Sequence, residues 1–291
     1  MLIRHVCVSQ LSEHIRTLIT RYHERCITAG VDSTKNIPND HIILILDKHL
    51  QMFPLESMPI LRPQSVSRLP CLSFLRDRIL YTQSHNTKEA YDDFGLTANS
   101  EWTDLTVSKR SAFYVLNPGG DLKDTQKEFE PIFKSVPEWD GVIDSMPMEL
   151  QCRDALQTRD IYMYFGHSAG QAFMRGTTVR QLPTCAVSLL MGCSSGILET
   201  NGEFDLNGYV LNYLLAGSPA VVANLWDVTD RSIDKLTKYM LHSWGMLKKT
   251  NETPKSLVQA VSESRNQCKL SYLIGASPVV YGIPVYLNKT K

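Results

Sequence analysis

Short, unbroken apolar runs alternate along this chain with longer segments whose apolar residues recur at helical spacing. The runs are residues 41–47 (His-Ile-Ile-Leu-Ile-Leu-Asp), 112–117, 161–165, 186–191 and 220–225. A continuous run bounded by turn residues is the pattern of a strand buried on both faces. Helical spacing appears at about 11–28, through Leu11, Ile15, Leu18, Ile19 and Tyr22, and again at 124–133, 148–156, 206–216, 229–246 and 254–268. Strands alternating with helices predict an α/β fold: a mainly parallel sheet sandwiched by helices. Pro254 suits the first turn of the last helix, and Ile283–Leu287 reads as a closing edge strand, where Pro284 is tolerated.

The same pattern divides the chain. Pro54, Pro59, Pro63 and Pro70 fall in one stretch, which must be ordered by packing rather than by strand ladders. From Ser84 to Lys109 the residues turn polar and read as a surface linker. The expected organisation is a smaller N-terminal α/β lobe with its linker over residues 1–110, followed by a larger domain over 111–291.

Composition narrows the function classes. With 291 residues, 43% of them hydrophobic, the chain can bury a large core. Thirty basic residues balance thirty acidic ones, so no overall field draws it to nucleic acid or to anionic lipid. The most apolar stretch, 209–226, is interrupted by Asn212, Gly217, Ser218, Pro219 and Asn224, which fits a helix, a turn and a strand rather than a membrane span. No apolar run of signal-peptide type follows the N-terminal methionine. The seven cysteines are odd in number and contain no Cys-x-x-Cys pair, which favours a reducing compartment and argues against structural zinc. No cofactor is implied.

Two of the apolar runs end in small-residue turns that carry a reactive side chain. Residues 161–170 read Ile-Tyr-Met-Tyr-Phe-Gly-His-Ser-Ala-Gly, and 187–196 read Val-Ser-Leu-Leu-Met-Gly-Cys-Ser-Ser-Gly. If the two strands are parallel neighbours, His167 and Cys193 emerge at the same sheet edge, as a cysteine nucleophile and its base must. A strand-end cysteine is more often packing than chemistry, and the same holds for a lone histidine. Two glycine-flanked turns with one connecting segment between them outweigh that reading.

A serine-esterase reading competes, because Gly166-His-Ser168-Ala-Gly170 matches the nucleophile-elbow pattern. It would use Ser168, an acid such as Asp227 or Asp230, and His242. Two features oppose it. Gly176, Thr177, Thr178 and Pro183 break the helix that should follow the elbow, and His242 lies inside a helical pattern rather than on a loop. An inactive interaction module is the third alternative.

At these residues the chain resembles a known family. The segments Tyr164–Gly170, Leu190–Gly196, Asn224–Asp230 and Tyr272–Gly282, with Leu46-Asp-Lys48 and Phe53-Pro-Leu-Glu-Ser-Met-Pro59 ahead of them, are similar to the protease domain of separase. The resemblance runs from about residue 40 to 287. It implies a caspase-like cysteine endopeptidase that cuts the kleisin subunit of cohesin after arginine in a Glu-x-x-Arg context, releasing sister chromatids at anaphase. It implies Cys193 as nucleophile, His167 as acid–base partner, and backbone N–H groups of Ser168 and Cys193 as oxyanion donors. Many members have glycine where Ser168 stands, which a backbone donor tolerates. Securin is implied as an inhibitory partner, and cytoplasm and nucleus as the location. The long helical N-terminal region of separases is not found in this sequence, so the chain is expected to be the protease part alone. A buried arginine requires carboxylates, and Asp234, then Asp230 and Asp227, are the candidates for that pocket, with helix capping and dipole compensation as the competing role, particularly for Asp227 or Asp230.

Overall fold

A computed structural model describes residues 41–86, 105–247 and 254–288. In chain order the elements are β1 (Ile42–Ile45), β2 (Val66–Leu69), α1 (Leu72–Asn86), β3 (Leu105–Val107), β4 (Ala112–Leu116), α2 (Lys123–Lys134), β5 (Asp140–Ile143), α3 (Glu149–Thr158), β6 (Ile161–Phe165), α4 (Gly176–Arg180) and β7 (Val187–Leu190). A hairpin of β8 (Glu199–Asn201) and β9 (Phe204–Asn207) follows. The chain continues through α5 (Tyr209–Leu215), β10 (Ala220–Asn224), α6 (Asp230–Trp244), α7 (Leu257–Ser264), β11 (Pro278–Gly282) and β12 (Val285–Leu287).

Eight strands form one sheet in the order β1-β2-β11-β10-β7-β6-β4-β5. The five from β10 to β5 are mutually parallel. β11 runs antiparallel to β10, and β2 and β1 follow the direction of β11. Side chains of each central strand alternate between two cores, as the two-residue period requires. Tyr114, Leu116, Met163, Phe165, Leu189 and Val222 face α2, α6 and α7, while Val115, Tyr162, Tyr164, Leu190 and Val221 face α3, α4 and α5. The α/β sandwich thus follows from the alternation of apolar runs and amphipathic helices in the sequence.

The helices bury the stripes their spacing anticipates. α2 buries Thr125, Phe129 and Phe133, one turn apart, and Phe129 and Phe133 pack against Phe165. α6 buries Ile233, Leu236, Thr237, Met240, Leu241 and Trp244, then stops at Gly245, whose φ of 98° closes the helix in a left-handed cap. β4 leads on to β5 on one side and its neighbour β6 leads on to β7 on the other, so the connections that leave the carboxyl ends of β4 and β6 diverge. Open α/β sheets place their ligand crevice at such a switch point. The turns after β4, β6, β7 and β10 all open at that edge.

Several expectations change in detail. β1 and β2, from the front of the chain, extend the same sheet as the back strands. β1 is an edge strand and only half-buried, whereas its apolar sequence reads as fully buried. β11 enters the main sheet although its first residue is Pro278. The expected edge strand, β12, pairs instead with β3 in a separate ribbon. The helix expected at 254–268 begins later, with the Ser256 hydroxyl capping the Gln259 N–H, so Pro254 precedes it. The polar linker starts within α1 and ends at β3. The helix expected at 11–28 lies outside the described residues. Among the described residues, no helix is long and apolar enough to cross a membrane.

A buried cation helps to hold the proline-rich segment, beside the bonds of Arg62 to Asn266 and the Ser271 carbonyl and of Ser262 to the Gln64 carbonyl. Arg68 of β2 is fully buried; its Nε donates to Glu56 at 2.6 Å, and its guanidinium also reaches the carbonyls of Gln51 and Phe53. The segment is fastened to the sheet through this side chain. Removing one partner of a buried pair leaves the other charge uncompensated, at roughly 3–5 kcal/mol. Glu56→Ala is therefore expected to lower stability by about that amount in urea unfolding. A loss under about 1 kcal/mol would show that the segment is held elsewhere.

Candidate active site

The two reactive turns are built from glycines placed where nothing larger fits. After β6, Gly166 lies under the Tyr164 phenol: an added Cβ would sit 2.5 Å from its oxygen. That phenol donates to the His167 carbonyl at 2.7 Å. Ser168 then adopts a φ of 52° and Gly170 one of 84°, turning the chain back sharply. After β7, Gly192 meets this turn directly. A Cβ at Gly192 would lie 1.9 Å from the Ser168 carbonyl oxygen and 2.5 Å from that of Gly166. The backbones carrying His167 and Cys193 thus touch each other.

A buried asparagine fixes the cysteine turn from the next strand. Asn224, the last residue of β10, donates through Nδ2 to the carbonyls of Gly192 (3.0 Å) and Met191 (3.3 Å). Its N–H donates to Ser195 Oγ at 3.0 Å, and the Ser195 hydroxyl donates to the Leu190 carbonyl at 2.6 Å. Ser194, at a φ of 51°, donates to the Asp227 carboxylate at 2.6 Å. Cys193 therefore stands on a turn anchored on both sides.

Cys193 and His167 line one cleft, together with Val228, Asp230 and Asp234. Cys193 is half-buried, and its Sγ lies 3.1 Å from the Val228 carbonyl, to which the thiol donates. The imidazole is open to solvent at 62% and bonds through Nε2 to Asp121 Oδ2 at 2.7 Å. No hydrogen bond joins the thiol to the imidazole in this state, and such contacts commonly tighten only with substrate bound. Neither the Ser168 N–H nor the Cys193 N–H donates to a protein acceptor among the described residues. Both remain available to an oxyanion.

The three aspartates separate. Asp227 serves the cysteine turn through Ser194 and does not line the cleft. Asp230 and Asp234 share a face of α6, as their spacing requires, and both line the cleft. The helix is capped at Thr229, without a side-chain hydrogen bond, so neither Asp227 nor Asp230 caps it, but Asp230 lies in its first turn, where a carboxylate compensates the helix dipole as expected. Asp234 accepts the Thr125 hydroxyl at 2.7 Å. Its carboxyl is pushed up to about 7, chiefly by burial; the Thr125 bond opposes the rise, and the charges of Asp230, Glu128 and Asp124 add to it. A broader opening of about 840 Å³ continues from here between the starts of α2 and α6, lined by these acids and Asp121 and rimmed by Lys123, Lys127, Arg231 and Lys235.

The esterase arrangement is not assembled. Ser168 is exposed on its turn, but His242 sits in the last turn of α6, roughly 18 Å along the helix from Asp230 at about 1.5 Å per residue. Two residues escaped the sequence reading, Asp121 and Asn224. The signal for Asp121 was there: Asn117-Pro-Gly-Gly-Asp121 is a third strand followed by a glycine turn with an ionisable residue. Asn224 shows only as a polar residue closing an apolar run. Among the described residues, no group of His, Cys, Asp and Glu has the arrangement to hold a metal ion.

Gly192→Ala is expected to force the two turns apart and to abolish turnover while the folded core survives, measured by peptidase assay beside circular dichroism. Full activity would show that the turns are not in contact. Asp234 generates a pH dependence of stability. Its folded pKa is raised, so folding takes up a proton between about 4 and 7 and wild-type stability falls across that window. Asp234→Asn is expected to match wild type near pH 4 and to exceed it increasingly up to pH 7, with a constant difference above. Parallel stability curves would contradict the burial of this carboxyl.

The chain matches known proteins in sequence and in fold. The family model described as "Separin, protease domain" matches residues 2–233. Separin of Emericella nidulans is 42% identical over 278 residues, covering 93% of this chain and 12% of the relative. The crystal structure of the Saccharomyces cerevisiae separase–securin complex matches with a TM-score of 0.75 and 30% identity, over 86% of this chain and 16% of that one. The complex of Porphyromonas gingivalis RgpB pro- and mature domains is 12% identical with a TM-score of 0.56, over 89% of this chain and 68% of that one, a likeness of fold alone. The chain spans about an eighth of the length of the curated relatives it matches. It belongs to the separin family and represents its protease domain.

Proposed function

We propose that this chain is a cysteine endopeptidase working through Cys193 and His167, and that it cuts the kleisin subunit of cohesin after arginine in a Glu-x-x-Arg context, as separases do at anaphase. The observation that carries the reading is the backbone contact between the two turns, which sets a thiol and an imidazole on one cleft beside the half-buried Asp234 and the exposed Asp230.

Peptide hydrolysis then proceeds in balanced steps. His167 takes the thiol proton, the Cys193 sulfur forms a bond to the scissile carbonyl carbon, and the carbonyl oxygen becomes an oxyanion. The N–H groups of Ser168 and Cys193 receive that charge, each contributing about 3 kcal/mol in sites of this kind. The C–N bond breaks as the imidazolium protonates the leaving amine; a water molecule, deprotonated by His167, then adds to the thioester carbon, the C–S bond breaks to release the acid, and His167 returns the proton to the Cys193 thiolate.

The arginine pocket is assigned to Asp234, with Asp230 beside it. A carboxyl that binds its proton near neutrality when the pocket is empty exchanges that proton for a guanidinium, which restores its charge pair. Asp227 acts instead on the cysteine turn. Securin is proposed as an inhibitory partner on the strength of the family and of the Saccharomyces cerevisiae complex, with cytoplasm and nucleus as the location.

Cys193→Ser and His167→Ala are expected to abolish cleavage of an arginyl peptide without unfolding the chain. An arginyl acyloxymethyl-ketone peptide is expected to label Cys193, located by mass spectrometry. Labelling at Ser168 would restore the esterase reading, and absence of any label would favour an inactive module. Asp234→Ala is expected to lose the preference for arginine; a retained preference refutes the pocket assignment.

A further inference from the structure

A carboxylate outside the thiol–imidazole pair makes the one hydrogen bond that the imidazole ring has among the described residues. We propose that Asp121 is the positioning residue of His167: it holds Nε2–H, fixes the plane of the ring and leaves Nδ1 as the basic nitrogen turned to the Cys193 side of the cleft. This rests on the thiol–imidazole reading above and deepens it.

The turn after β4 is constructed to hold that carboxylate in place. Asn117, fully buried, takes a φ of 53°, an uncommon conformation for a residue with a side chain. Its N–H donates to the Phe165 carbonyl at 2.8 Å, tying the end of β4 to the end of β6 just ahead of His167. Its Oδ1 accepts the Leu122 N–H at 2.8 Å, immediately beyond Asp121, and its Nδ2 donates to Gln126 at 2.7 Å. Gly120, at a φ of 74°, donates back to the Asn117 carbonyl. At Gly119 a Cβ would stand 2.9 Å from Asp121 Oδ1 and displace the carboxylate. The loop therefore fixes both the backbone and the side-chain space of Asp121.

The chemistry of imidazole gives the contact its direction. Neutral histidine has one donor and one acceptor nitrogen, so a carboxylate on Nε2 selects the Nε2–H tautomer and leaves the lone pair on Nδ1. The bond from His167 is also the chief cause holding the Asp121 carboxyl below the usual carboxylate range, with desolvation opposing it. When Nδ1 takes the thiol proton, Nε2–H stays on Asp121, which gains no proton. The Nδ1 proton later passes to the leaving amine. Both side chains are about 60% exposed, so solvent screens the charge and orientation is the larger effect.

In the 291-residue chain, Asp121→Ala is expected to lower kcat on an arginyl peptide about tenfold, with KM within about twofold, a smaller loss than in a buried triad because of the exposure. Asp121→Asn, which keeps an acceptor oxygen, is expected to recover most of that loss. A second readout needs no turnover. In the Cys193→Ala chain, long-range proton–nitrogen NMR of His167 is expected to show a single Nε2–H tautomer, and adding Asp121→Ala is expected to give an averaged mixture. Unchanged kcat together with an unchanged His167 spectrum overturns the proposal, as does a loss confined to KM, which would place Asp121 on the substrate arginine. If the wild-type chain fails to cleave, or Cys193→Ser retains full turnover, the thiol mechanism falls while the spectrum still decides the role of Asp121.

Discussion

Gly192 has no room for a side chain, because the carbonyl oxygens of Ser168 and Gly166 occupy that space. This approach of two backbones is the constraint on which the site depends. Parallel pairing of β6 and β7 brings the strand ends level, but pairing alone leaves their turns free to splay. The missing Cβ lets them close, and closure sets the thiol, the imidazole and two free N–H groups around one cleft. Asn224 then fastens the cysteine turn from the third strand in line. Sheet register, turn contact and strand-end hydrogen bonds form a single geometric chain from core to chemistry.

Around that contact the polar groups divide by burial. Arg68 and Glu56, sealed from water, serve architecture by fastening the proline-rich segment to the sheet. Asp227, at the surface, steadies Ser194 beside Cys193. Asp234 is different. It is buried deeply enough to hold its proton near neutrality, yet it lines the cleft, which suits a group awaiting a cationic partner. Asp121 is open to solvent and works through geometry rather than through a strong field.

Much of this was legible in the chain itself. The central strands appear as unbroken apolar runs because both faces are covered, and α2 and α6 show their buried stripes directly. His167 and Cys193 stand out because each follows such a run on a glycine turn. The hidden features are those set by distant partners. β11 begins with a proline and shows no distinct run, so its place beside β10 emerges only from tertiary pairing. The edge position of β1 leaves no mark in Ile42-Ile-Leu-Ile45. Asp227 and Asp230 look alike in sequence, and only the bond from Ser194 separates their roles. The contact of Asp121 with His167 joins residues far apart in the chain, through a loop whose shape depends on a buried Asn117.

The central claim is spatial: two touching turns hold sulfur, imidazole and two backbone donors around one reacting carbon. A crystal structure of the chain trapped with an arginyl ketone peptide tests it most directly. A bond is expected from Cys193 Sγ to the ketone carbon, with the resulting oxygen about 2.7–3.1 Å from the N–H groups of Ser168 and Cys193, and the guanidinium on Asp234. An adduct whose oxygen points to solvent, with His167 on the far side of the cleft from the leaving group, would contradict it.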